Sequence, residues 1–62
     1  MTKACRLVFL MQVLHERACS TRDLARRCEV TPRMIRYDLL DLQSEPFYLP
    51  LVYEGRCWRL MK

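Results

Sequence analysis

Ser20–Leu42 reads STRDLARRCEVTPRMIRYDLLDL, two short amphipathic segments separated by a tight turn, each with its own start signal. Ser20 is a good N-cap, and Asp23 three residues on completes an approximate capping box. Leu24, Ala25 and Cys28 then line one face of a helix barely two turns long. Glu29 interrupts that helix, and Val30 drops back toward the core. Thr31 caps the next helix, where Pro32 at the first position is preset for helical φ and gives up no needed N–H. Ile35, Leu39 and Leu42 supply its buried stripe and leave Arg33, Arg36, Tyr37 and Leu40 outside. The helix spans about residues 31–43. A helix–turn–helix of this kind presents its second helix, end-on and basic, to a groove of duplex DNA.

Working outward, Leu7, Leu10, Met11 and Leu14 fall at the i, i+3, i+4, i+7 positions of a helix from about Lys3 to Arg17. Phe9 and Val13 lie to the side of that stripe. Downstream, Pro46 ends any helix, and Pro50 stands just before an extended stretch. Leu51–Tyr53, a turn at Glu54-Gly55-Arg56, and Cys57–Leu60 read as a short β-hairpin. In this reading Val52, Trp58 and Leu60 face the helices, while Arg56 and Arg59 face solvent or a phosphate. The expected fold is α+β, three helices followed by a two-stranded β-hairpin wing, as one domain over residues 1–62.

A chain of 62 residues has room for one core and no separate sensor domain. A chain this short buries only about 60% of the surface its unfolded form exposes, so its stability is modest. With 52% hydrophobic residues and one glycine, it is composed for order rather than disorder. Lysine and arginine exceed the acids by 11 to 7, a formal +4 that suits a polyanionic partner. Leu7–Leu14 loosely resembles a signal-peptide run, but Gln12 interrupts it and His15-Glu16-Arg17 occupy the place of a cleavage site. No apolar stretch reaches the roughly 20 residues of a membrane span. The expectation is a cytoplasmic, nucleoid-associated protein with no membrane contact and with its thiols reduced.

The stretch from Leu10 to Leu42 resembles the amino-terminal winged helix of DeoR-type bacterial repressors, and is similar to the related domains of biotin-ligase repressors and WYL-domain regulators. Leu24-Ala25, Val30-Thr31, Ile35-Arg36, Asp38-Leu39 and Leu42 carry the likeness, with Leu49–Gly55 and Trp58–Leu60 in the place of their wing. The resemblance implies a bacterial- or phage-type transcription regulator, most naturally a repressor, whose third helix enters the major groove. It puts Thr31 and Arg33 at the start of that helix, with Arg36 and Tyr37 one turn in. The chain departs from the pattern at Glu29, where a glycine usually turns, at Met34 in place of threonine, and at Tyr37 in place of a second arginine.

The DNA-contact set read from the chain is Ser20, Arg22, Thr31, Arg33, Met34, Arg36, Tyr37 and Arg56. Arg33 and Arg36, three apart, share a helical face, and arginine pairs bidentately with guanine or clamps a phosphate. Ser20 and Thr31 are caps first, at helix N-termini that also suit phosphate. Tyr37 either donates to a phosphate or covers the flank of the core. Arg56 either reaches a phosphate or minor groove or simply solubilises a hairpin tip. Phe9, Val13, Leu40, Phe47, Tyr48 and Leu49 exceed what so small a core can take in, and suggest an interface for a homodimer or a larger regulatory protein. A second reading follows from them: a protein-interaction winged helix acting as co-regulator or antirepressor on a larger DNA-binding partner.

The four cysteines form no C-x-x-C pair and no zinc or iron–sulfur spacing. Cys28 belongs to a buried helical face; Cys5, Cys19 and Cys57 leave redox sensing open. His15 has no sequence-evident catalytic partner, and one glycine makes no phosphate-cradling loop. The expectation is a non-enzyme with no metal and no cofactor.

Overall fold

A computed structural model describes residues 2–61 of the chain. Three helices, α1 (Lys3–Glu16), α2 (Thr21–Cys28) and α3 (Pro32–Gln43), precede an antiparallel hairpin of β1 (Leu51–Glu54) and β2 (Cys57–Leu60). Each helix starts at a hydroxyl N-cap. Thr2 accepts from the Cys5 N–H at 3.2 Å, Ser20 from Asp23 at 3.1 Å, and Thr31 from Met34 at 3.2 Å. The expected capping box is only half formed, because the Asp23 carboxylate goes to Arg27 at 3.1 Å, one turn on. That ion pair holds the Asp23 carboxyl below its ordinary range.

The turn between α2 and α3 is a Schellman motif. Glu29 N–H donates to the Arg26 carbonyl at 3.3 Å and Val30 N–H to the Ala25 carbonyl at 3.0 Å. Glu29 adopts φ 57, ψ 44, the left-handed conformation that glycine enters without strain. Val30, the residue after it, packs against the core and fixes the direction in which α3 leaves.

Leu10, Leu14, Cys19, Leu24, Ala25, Cys28, Ile35, Leu39 and Leu42 are buried together. Fully burying a leucine or isoleucine contributes about 1.5–3 kcal/mol, so the leucines and Ile35 dominate the stability of this core. Leu7 and Met11, read from sequence as core, are only half-buried at its edge. The place on the α1 stripe one turn before Leu10 belongs instead to Arg6, whose guanidinium grips Asp38 of α3 through both carboxylate oxygens. Both side chains are buried, and no buried side-chain polar atom among the described residues lacks a partner.

The hairpin pairs Leu51 with Leu60, Val52 with Arg59, Tyr53 with Trp58 and Glu54 with Cys57. Cross-strand partners share a face, so Leu51, Trp58 and Leu60 turn toward the helices while Val52 lies with Arg59 on the other side. This corrects the sequence reading of Val52: the period of two excludes a residue paired with Arg59 from the face that holds Leu60. The turn residues Gly55 (φ 60) and Arg56 (φ 66) are both left-handed, as a two-residue type I′ turn requires. The hairpin is fastened to the segment before α2. Cys19 and Trp58 exchange backbone hydrogen bonds at 2.9 and 2.7 Å, and the Trp58 indole N–H donates to the Thr21 hydroxyl at 3.0 Å.

Candidate nucleic-acid interface

The first turn of α2, the beginning of α3 and the hairpin tip meet around one open groove. Ser20, Thr21 and Arg22 form one wall, Pro32 and Arg36 the second, and Tyr53 and Arg56 the third. Four of the residues expected from sequence to contact DNA, Ser20, Arg22, Arg36 and Arg56, therefore come together from three separate elements. The cause is local in each case. The Ser20 cap fixes where α2 begins, the Schellman turn aims α3, and the Trp58–Thr21 hydrogen bond holds the hairpin beside both.

The electrostatics of the groove are one-sided. No acidic residue lines it. Elsewhere, the ion pairs among the described residues are Lys3–Asp41, Arg6–Asp38, Arg27–Asp23 and Arg59–Glu54. Those pairs leave Arg17, Arg22, Arg26, Arg33, Arg36 and Arg56 unneutralised, and Arg22, Arg36 and Arg56 of these line the groove. Arg59, read from sequence as open to a phosphate, is the exception, with its guanidinium 3.4 Å from Glu54. Ser20 and Thr21 hydroxyl oxygens already accept hydrogen bonds, so each keeps its own proton to donate. The lining is thus rich in donors and free of carboxylates, the chemistry that receives an oxyanion such as a phosphate diester.

The remaining candidates occupy α3 outside the groove. Thr31 caps the helix, Arg33 is exposed, and Met34 and Tyr37 stand 41% and 55% exposed. Together they form an open polar and apolar surface continuous along the first two turns of the helix. Sequence reading missed Tyr53, which lines the groove through the same register that placed Val52 outward. It also missed Arg6 and Asp38, although both sit on apolar helical stripes. Arg6 lies four before Leu10, and Asp38 lies three after Ile35. A charge on an apolar stripe signals a buried partner, though not which residue supplies it.

The expected apolar interface set divides. Phe9, Val13 and Leu49 pack half-buried against the core and present only part of their surface to solvent. Leu40, Phe47 and Tyr48 remain exposed, joined by Val8. Phe47 and Tyr48 stay out because their N–H groups close a turn onto the Ser44 carbonyl, at 3.0 and 2.9 Å, that carries the chain around the end of α3.

Cys19 and Cys28 are buried, and burial pushes both thiols above their ordinary range. Neither is a ready thiolate at neutral pH. Cys5 is exposed and Cys57 half-buried. Brief treatment of the folded protein with iodoacetamide should therefore alkylate Cys5 first, with Cys19 and Cys28 protected until denaturant is added. Peptide mass spectrometry reads the order, and equal labelling of all four would contradict the burial. Among the described residues no cluster of His, Cys, Asp and Glu is placed to hold a metal ion, and no helix is long and apolar enough to cross a membrane.

No protein-family model, curated protein or solved structure matches this chain.

Proposed function

We propose that the chain is a winged helix–turn–helix domain that binds double-stranded DNA sequence-specifically, as a small transcription regulator of the repressor type. In this reading α3 is the recognition helix and lies in the major groove, and the hairpin is the wing that meets the backbone. The observation that carries the proposal is the convergence of Ser20, Arg22, Arg36 and Arg56 on one groove without an acid in its lining. A solubilising role would scatter these arginines; three elements bringing them to one place favours a polyanion. The exposed surface of α3, with Arg33, Arg36 and Tyr37, has the donors that base edges and phosphates call for. The resemblance to DeoR-type, biotin-ligase-repressor and WYL-domain winged helices supports the same reading.

A second copy would let the protein read two half-sites about one helical turn apart. The exposure of Leu40, Phe47 and Tyr48 at 59%, 39% and 64% favours a partner on that side, either a second copy or a larger regulator. It also supports the other reading, in which the domain acts on a DNA-binding partner as co-regulator or antirepressor. An amide-resolved NMR titration of the reduced protein with a mixed-sequence duplex, at low and then moderate salt, separates the two. Non-specific binding of about 10⁻⁴–10⁻⁶ M at physiological salt is within reach of the method. Salt-sensitive shifts at Ser20–Arg22, Thr31–Tyr37 and Arg56 are the expected result. A spectrum unchanged at low salt would remove DNA and leave the protein-partner reading.

A further inference from the structure

We infer that Tyr53 is a backbone contact of the same interface, its phenol donating a hydrogen bond to a DNA phosphate at the groove that Arg36 and Arg56 share; this rests on the DNA reading above. Tyr53 is 57% exposed, although its cross-strand partner Trp58 is packed against the core. The two rings lie 5.0 Å apart and are tilted by 48°, an attractive edge-inclined arrangement that restrains the phenol. Trp58 is itself immobilised by its indole bond to Thr21 and its backbone exchange with Cys19. The tyrosine is therefore held by a chain of contacts that starts at α2, one of the elements that build the groove, and it lines that groove with three guanidiniums. At the groove the phenol hydroxyl supplies a neutral donor beside the guanidiniums that phenylalanine would lack. The contact with Trp58 restricts the ring in part, which lowers the ordering cost on binding.

A neutral donor and an arginine leave different signatures on DNA binding. Removing an arginine that contacts phosphate weakens binding and lowers its salt dependence, because fewer counterions are released. Removing a phenol hydroxyl weakens binding and leaves the salt dependence unchanged. Tyr53→Phe should therefore bind a mixed-sequence duplex about tenfold more weakly at every salt concentration, with a slope parallel to that of the unaltered protein. Trp58 is the only tryptophan of the chain, and its fluorescence, 5.0 Å from Tyr53, provides the titration signal.

The experiment compares the unaltered chain, Tyr53→Phe, Tyr53→Ala, Arg36→Ala and, as the phosphate-contact comparison, Arg56→Gly across a salt series, with thermal melts to confirm that each is folded. Weakened binding by Tyr53→Phe on a parallel slope is the expected result. Loss with Tyr53→Ala but not with Tyr53→Phe would mean that the ring face, and not the hydroxyl, meets the nucleic acid, and would overturn the inference. Binding weakened by the arginine variants alone would overturn it as well, while leaving the DNA reading intact. An unaltered chain that binds no duplex would overturn both.

Discussion

Replacing Asp38 with alanine should cost the domain about 3–5 kcal/mol of folding free energy, the usual penalty for breaking one side of a buried ion pair. Chains of this length have roughly 0.05–0.15 kcal/mol of stability per residue, so this variant would lose a large share of its stability. The reason lies with the partner left behind. Arg6 is held by Asp38 through two hydrogen bonds, which together with the carboxylate charge favour its charged form still further. A guanidinium cannot escape by losing its proton, so truncating Asp38 strands a full charge in the core between α1 and α3. Asp38→Asn keeps the volume and one good acceptor, and should lose less. Arg6→Met combined with Asp38→Leu removes both charges and should recover most of what Asp38→Ala loses, because buried pairs break roughly even against apolar replacements. Urea unfolding of the four proteins reads these differences from the midpoints. An Asp38→Ala midpoint equal to that of the unaltered chain would mean that the pair ties nothing together.

The same pair marks the limit of what could be read from the residues alone. The three helices were legible because their caps and stripes repeat one local grammar. Ser20 and Thr31 are hydroxyl caps, and Leu24–Cys28 and Ile35–Leu42 hold to one helical face. Glu29 was legible as the break between the two helices, since it falls between a completed stripe and the next cap; its left-handed conformation belongs to the structure. What the local pattern does not contain is the pairing of one element with another. Arg6 and Asp38 are 32 residues apart, and only the packing of α1 on α3 shows each to be the other's partner. Val52 was given the wrong face because strand alternation fixes two faces but leaves open which one meets the helices. Trp58 settles that choice through Thr21 and Cys19, contacts of 37 and 39 residues' separation. Four of the eight DNA candidates meet in the groove for a related reason. Cap and turn positions are set locally, so Ser20, Arg22, Arg36 and Arg56 follow from element boundaries. Tyr53 depended on register and was missed.

Removing Arg36 and Arg56 together should reduce duplex binding by the largest factor of any change that leaves the fold intact, and the two arginines should act differently. Arg36 lies one turn into α3, exposed and without an ion-pair partner among the described residues. If it reads a base edge, Arg36→Ala should cost about 1–3 kcal/mol and relax sequence preference at one position. Arg56 sits at the hairpin tip with φ 66, a conformation in which a side chain costs about 1 kcal/mol or more relative to glycine. Arg56→Gly should consequently raise the thermal midpoint while weakening DNA binding, and lower the salt slope by roughly one phosphate contact. Opposite signs for stability and affinity in one variant are the mark of strain kept for a purpose. A purely solubilising arginine would give the stability gain with no loss of binding. Fluorescence titrations at several salt concentrations, paired with melting curves, separate these outcomes. The double variant that binds duplex as tightly as the unaltered chain would exclude the groove as the DNA site and turn attention to the exposed face of α3 with Arg33 and Tyr37.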